Sequence, residues 1–212
     1  KSLKGIYLNN KNQITIGALN THNEIAKSKV IKQHIKGLTY LASNIADNAV
    51  RNLGTLGGSI CNSDPAADYP SALLSLNASI LTNKRTISAK DFFIDMFETT
   101  LADDEIVISI SFPIVKKSYY LKFASQASKY AIVGIFGSYN NNLIKLAITG
   151  AANKVFSIKE LEGLTPQQVL ELNLDQLDLE KYYINSDIHA SSQYRIALIK
   201  NMVKNISNYF KN

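Results

Sequence analysis

An α+β architecture is predicted by three features of the 212-residue chain. Short strand-like runs bracket a helical stretch in the first half, three strand signals follow one another after Pro113, and an amphipathic helical pattern closes the sequence. Apolar residues make up 46% and charged residues 19%, with 4 Pro, 10 Gly and no Trp. That profile excludes disordered, collagen-like and disulfide-stapled chains, and the length suffices to bury a core without staples.

Ile6 to Leu8 and Ile14-Thr15-Ile16, on either side of the polar Asn9-Asn10-Lys11-Asn12, predict two short strands around a turn. Thr21 with Glu24 three residues later is a capping box opening a short helix through Ala26, and Val30 to Ile35 adds a further turn or two. Leu38, Leu41, Ile45 and Ala49 recur at three- and four-residue spacing, predicting one longer helix that ends near Asn52-Leu53-Gly54. Pro65, Pro70 and Leu73-Leu74-Leu76 describe a loop feeding a helix. Ser79 to Thr82 then reads as a strand, Ala89 to Phe97 as a helical turn, and Glu105 to Phe112 as an alternating strand. A strand stopping at Pro113 before the connector Ile114-Val115-Lys116-Lys117 marks a division into residues 1–115 and 116–212. Beyond it, Tyr119 to Phe123, Ile132 to Tyr139 and Leu143 to Ile148 predict three strands, the last two joined across Asn140-Asn141-Asn142. From Lys159 the pattern is helical, broken at Gly163, restarted at Thr165-Pro166, and completed by a long helix from Ala190 to Phe210.

Charge and cysteine content narrow the function classes. The net charge of +6 comes from 23 basic against 17 acidic residues, but only Arg51, Arg85 and Arg195 are arginines, and the lysines are scattered. A nucleic-acid binder is expected to carry more Arg forks and an aromatic-basic motif, so an RNA-binding reading, which predicts steep salt dependence, is disfavoured. The lone Cys61 forms no internal disulfide, and no Cys/His cluster has zinc or iron–sulfur spacing. With no run of roughly 18 to 20 apolar residues, no membrane span is expected, and the location expected is cytoplasmic. His22 and His34 lack a paired carboxylate or Cys and read as surface or capping residues.

The chemistry concentrates between Val50 and Pro70, where Gly54, Gly57 and Gly58 fall within five residues beside Thr55 and Ser59. Glycines so spaced let backbone N–H groups approach a ligand, and consecutive amides in turn conformations form an anion-binding nest. Asp68 is placed to accept hydrogen bonds from ligand hydroxyls. The stretch is neither a Rossmann fingerprint nor a Walker loop.

Arg51-Asn52-x-Gly54-Thr55-x-Gly57-Gly58 followed by Asp64-Pro65-Ala66-Ala67-Asp68-Tyr69-Pro70 resembles the signature of the FAD-binding medium subunit of molybdenum hydroxylases, the carbon monoxide dehydrogenase and xanthine dehydrogenase group. Ile16-Gly17-Ala18-Leu19-Asn20-Thr21-His22 upstream is similar to that group's strand-to-helix turn. Lys122-Phe123, Tyr130-Ala131-Ile132-Val133-Gly134, Leu161-Glu162-Gly163 and Ser186-Asp187 through Arg195 extend the likeness over the second half.

The resemblance implies a PCMH-type middle FAD-binding subdomain in residues 1–115, with a mixed or antiparallel sheet and helices. Residues 116–212 would form a domain with a three-stranded antiparallel sheet and a helical bundle. It implies FAD as cofactor, with Thr55, Leu56, Gly57, Gly58 and Ser59 as the second of two glycine-rich pyrophosphate loops and Asn62 near the same group. Asp68 would lie on the sugar or ribityl hydroxyls, Val107 near the flavin ring and Tyr130 against the isoalloxazine. It also implies electron transfer within a heterohexamer-type assembly. Electrons leave a large molybdopterin-binding subunit, pass through a small [2Fe-2S] subunit and reach FAD before an external acceptor. Ser59 stands where the group usually has Asn, and His189 where it often has Arg. Because Lys1 to Ile6 matches the middle of the group's pattern, the first FAD loop is expected to be missing, and the chain alone to carry little or no FAD. A remnant that keeps the fold and a subunit interface but no cofactor is the alternative reading.

Overall fold

The computed structural model describes residues 3–212. Two short strands, β1 (Ile6–Leu8) and β2 (Gln13–Gly17), lead into four short helices, α1 (His22–Lys27), α2 (Lys29–His34), α3 (Lys36–Ser43) and α4 (Asn48–Leu53). Helices α5 (Leu56–Asn62) and α6 (Tyr69–Ser75), strands β3 (Ser79–Thr82) and β4 (Thr86–Ser88), and the single turn α7 (Ala89–Phe92) follow. A small hairpin, β5 (Phe93–Asp95) with β6 (Glu98–Thr99), precedes β7 (Val107–Pro113). The remainder holds β8 (Lys117–Ala124), β9 (Ala131–Asn140), β10 (Leu143–Thr149), β11 (Phe156–Ser157), α8 (Pro166–Glu171) and the long α9 (Ser192–Lys211).

Both main sheets are antiparallel, ordered β1-β2-β7-β3-β4 and β11-β10-β9-β8. In the first, Ile16, Ile110 and Ile80 stand in register and are fully buried, so alternation sends one face into the core. Helices α3 and α6 lie against the second sheet. One apolar core therefore runs from the first sheet through Ile25, Leu38, Leu41 and Leu73 to Tyr120, Phe136 and Ala147. The other face of the second sheet carries Val133, Ile135 and Leu146 against Ile199, Val203, Ile206 and Phe210 of α9. Each such fully buried aliphatic side chain contributes about 1.5–3 kcal/mol.

Local chemistry sets the element ends. At Thr21 the capping box forms in both directions: Thr21 Oγ1 accepts from the Glu24 N–H, and Glu24 Oε2 accepts from the Thr21 N–H. A second box forms between Thr165 and Gln168. Asn141 and Asn142 both adopt positive φ (49° and 65°), the conformation that a two-residue hairpin needs between β9 and β10 and that Asn tolerates best among side-chain-bearing residues.

Three expectations are corrected. The single helix from Leu38 to Leu53 is two helices, because Ala46 turns to φ 40° and Asp47 caps α4 by accepting from the Val50 N–H at 2.9 Å. The helical turn expected from Ala89 to Phe97 does form, but it ends at Phe92 and gives way to β5. Phe97, at φ 56°, then closes the β5–β6 hairpin, and its N–H donates to Ser63 O at 2.9 Å. The second sheet gains the two-residue strand β11, which pairs with β10 at Ala147 and Ile148.

Candidate functional site

A cavity of about 650 Å³ opens where three stretches of chain meet, within the roughly 300–1,000 Å³ of small-molecule and cofactor sites. Ile45, Ala46, Val50 and Leu53 form an apolar wall. Gly54, Thr55, Gly58 and Ser59, with Asn62, Asp64 and Asp68, form the second, and Ser128, Lys129 and Tyr130 the third.

The glycine-rich stretch is a capped helix, not a nest of turn amides. Thr55 is the N-cap of α5, and its Oγ1 accepts from the Gly58 N–H at 3.1 Å. The Leu56 and Gly57 amides are already engaged, donating to Asn20 O at 3.0 Å and Ala18 O at 2.8 Å. Packing explains two of the three glycines. A Cβ on Gly54 would stand 2.6 Å from His22 Nε2, and one on Gly57 would stand 2.7 Å from Ala18 Cβ. A Cβ on Gly58 would meet only Thr55 Oγ1, at 3.1 Å. Gly58 is exposed and lines the cavity, so the space its missing side chain leaves belongs to the cavity rather than to the core.

The loop from Asp64 to Asp68 is sewn to the second sheet. Pro65 O accepts from the Gly150 N–H at 2.8 Å, Ala66 O accepts from the Ala131 N–H at 3.3 Å, and Thr149 Oγ1 donates toward Pro65 O and Ala67 O. Asp68 is 6% exposed; its Oδ1 accepts from the Tyr120 hydroxyl and its Oδ2 from Lys122 Nζ at 3.0 Å. Burial pushes the Asp68 carboxyl above the usual carboxylate range, against the pull of Lys122 and the Tyr120 hydroxyl. Burial, reinforced by the Asp68 charge, keeps Tyr120 and Tyr69 protonated phenols. Tyr130 is likewise raised, by burial and then by the neighbouring Asp64.

Of the nine residues expected at the site, Thr55, Gly58, Ser59, Asn62, Asp68 and Tyr130 line this cavity. Leu56, Gly57 and Val107 do not: Leu56 points into the core, Gly57 packs against Ala18, and Val107 lies on the core side of β7. His22, read from sequence as a surface or capping residue, is instead 5% exposed and forms part of the cavity wall. Its ring packs on Tyr69 with centroids 5.3 Å apart, and its Nδ1 and the Tyr69 hydroxyl are buried without a partner among the described residues. Burial, helped by nearby Arg51, lowers His22 to about 4, so it is neutral at pH 7. Arg51 reaches back around the loop after α3. Its guanidinium donates to Ile45 O at 2.6 Å, Ala46 O at 2.8 Å and Asn48 Oδ1 at 2.6 Å. The sequence signal for His22 was its place at the end of the Ile16-to-His22 likeness; in the structure its N–H donates to Gly54 O at 3.0 Å. Lys122 was marked only as part of the Lys122-Phe123 likeness, without a role, and Tyr120 carried no signal beyond an ordinary strand pattern.

An apolar slab ending in an aromatic ring, a bare glycine and acceptors for hydroxyl groups suit a ligand that joins a flat ring system to a polyol. Residues 1–115 match the family described as the FAD binding domain in molybdopterin dehydrogenase. The chain belongs to this family. Among its relatives is the glyceraldehyde dehydrogenase medium chain of Sulfolobus acidocaldarius, 33% identical over 89% of this chain and 73% of that protein. The nicotine 6-hydroxylase medium subunit of Paenarthrobacter nicotinovorans is 28% identical over 90% of this chain and 72% of that protein. CO dehydrogenase from Oligotropha carboxidovorans contains a chain with the same fold, at a TM-score of 0.84 and 21% identity, covering 96% of this chain and 76% of that one. The family's cofactor is FAD, and these relatives are components of oxidoreductase complexes with more than one kind of subunit. No helix among the described residues is long and apolar enough to cross a membrane.

Proposed function

We propose that this chain is the FAD-binding electron-transfer subunit of a molybdenum-containing hydroxylase or dehydrogenase. A large molybdopterin-binding subunit would oxidise the substrate, a small [2Fe-2S] subunit would relay the electrons to this chain, and an external acceptor would remove them. The division at residues 115 and 116 is part of the same reading, since the cavity draws walls from both sides of it. The observation that carries the proposal is the cavity itself, with Gly58 left bare, Tyr130 at one wall and Asp68 held beside it.

When bound, FAD would supply an isoalloxazine ring able to take up and release electrons singly or in pairs. The chain's own residues bind and orient. Ile45, Val50, Leu53 and Tyr130 offer apolar and aromatic surface to a planar group, and Asp64 and Asp68 offer acceptors to hydroxyls. Thr55 and Ser59 add hydroxyls beside Gly58. Retention of all these features argues for binding rather than for a remnant that keeps only the fold.

Titrating FAD with the chain while following flavin fluorescence tests the proposal. The expected result is saturable quenching that is lost when Gly58→Leu fills the cavity. A chain that leaves flavin fluorescence unchanged up to millimolar concentration overturns it.

A further inference from the structure

Lys122 lies on β8, its side chain 8% exposed, and is not itself part of the cavity lining. Its Nζ is 2.7 Å from Asn44 O, 3.0 Å from Asp68 Oδ2 and 3.0 Å from Lys129 O. An ammonium has three N–H donors, and here each meets one acceptor. Those acceptors come from three different stretches: the residue before Ile45 in the first wall, Asp68 in the second, and the residue before Tyr130 in the third. Both backbone acceptors lie in loops with a non-glycine residue at positive φ, Ala46 at 40° and Lys129 at 63°. Such conformations persist only where surrounding structure holds them. Arg51 takes the next two carbonyls, at Ile45 and Ala46, so three successive carbonyls of the first loop are held by two cations.

We infer that Lys122 is a positioning residue, a group that ties all three walls together and so sets the width of the cavity for a flat ligand. As far as it concerns flavin, the inference rests on the cofactor reading above. A guanidinium is planar and longer, and it cannot reproduce three divergent bonds from one nitrogen. A role limited to neutralising buried Asp68 makes a different prediction, and two variants separate the two roles.

Lys122→Arg keeps the charge beside Asp68. Asp68→Asn/Lys122→Met removes both charges and is compared with Asp68→Asn alone. The readouts are amide hydrogen exchange at residues 45–47 and 128–130 in the ligand-free 212-residue chain, and the dissociation constant for FAD. The expected result is exchange at least tenfold faster at both stretches together in Lys122→Arg than in wild type. The double variant should show the same acceleration relative to Asp68→Asn, with FAD affinity at least tenfold weaker in each comparison. Exchange and affinity that match wild type in Lys122→Arg, and match Asp68→Asn in the double variant, overturn the inference and leave Lys122 as a counter-ion. A wild-type chain with protected walls and no affinity for FAD overturns the cofactor reading instead, and the exchange data alone then decide the role of Lys122.

Discussion

The two faces of the second sheet bury cations for different purposes. On the face toward the first sheet, Lys122 meets a carboxylate that is itself buried, Asp68, together with carbonyls from two loops that wall the cavity. On the α9 side, Arg195 is 3% exposed and donates to Ile132 O at 2.5 Å and Gly150 O at 2.9 Å. Its carboxylate partner, Asp187, remains 44% exposed. Partial burial acts to raise the Asp187 carboxyl, but the His189 and Ala190 amides and Arg195 outweigh it and hold it low, whereas burial wins at Asp68. Arg195 stands on α9, whose buried face carries Ile199, Val203 and Ile206, whereas Asp68, the partner of Lys122, also accepts from the Tyr120 hydroxyl. Lys122 therefore holds a buried carboxylate at the edge of the cavity, and Arg195 is a clamp between a helix and a sheet end.

The largest expected effect is at Lys122. Lys122→Met strands Asp68 and should cost about 3–5 kcal/mol of stability at pH 7, measured by urea unfolding. Adding Asp68→Asn should recover most of it. Because a carboxyl with a raised folded pKa is favoured protonated, the Lys122→Met deficit should shrink as pH falls through that folded pKa and grow above it. Arg195→Met should cost about 2–4 kcal/mol, since two carbonyls lose a donor. Adding Asp187→Asn should recover none of it, and FAD affinity should stay within twofold of wild type. Recovery at Arg195 and none at Lys122 would reverse the comparison.

His22 gives an intermediate, pH-dependent effect. Its folded value near 4 lies below the 6.5 of an unperturbed His, so the unfolded chain binds the extra proton first. Stability should therefore fall as pH drops from 6.5 to 4, by roughly 2 kcal/mol after allowing for partial solvent screening at the cavity wall. His22→Gln should flatten that slope, and a slope unchanged in the variant contradicts the assignment. The smallest stability effect belongs to Gly58→Leu, within about 1 kcal/mol, because the gain in helix propensity is offset by the close approach of its Cβ to the capping Thr55 Oγ1. Gly57→Ala, one residue earlier, should instead destabilise by about 1–3 kcal/mol through its contact with Ala18.

Much of this was legible in the chain. The Thr21 and Thr165 caps, the strand order around Asn140 to Asn142 and the long closing helix all follow from short-range chemistry that acts within a few residues. Six of the residues that line the cavity could be named because they share one contiguous motif or belong to a family pattern. Gly57 shows the limit: adjacent glycines look alike in sequence, yet one faces Ala18 and the other faces the cavity. Lys122 belonged to the Lys122-Phe123 likeness, but its role was illegible for a related reason, since its three acceptors stand 78, 54 and 7 residues away and only the tertiary fold assembles them.

Mapping amide chemical shifts on adding FAD tests the central claim most directly. The account predicts the largest changes at residues 45–46, 58–59 and 128–130, with α9 and the open face of the first sheet around Asn9, Thr15 and Ser111 unchanged. Changes centred on that open face or on α9, with the cavity walls silent, would contradict it.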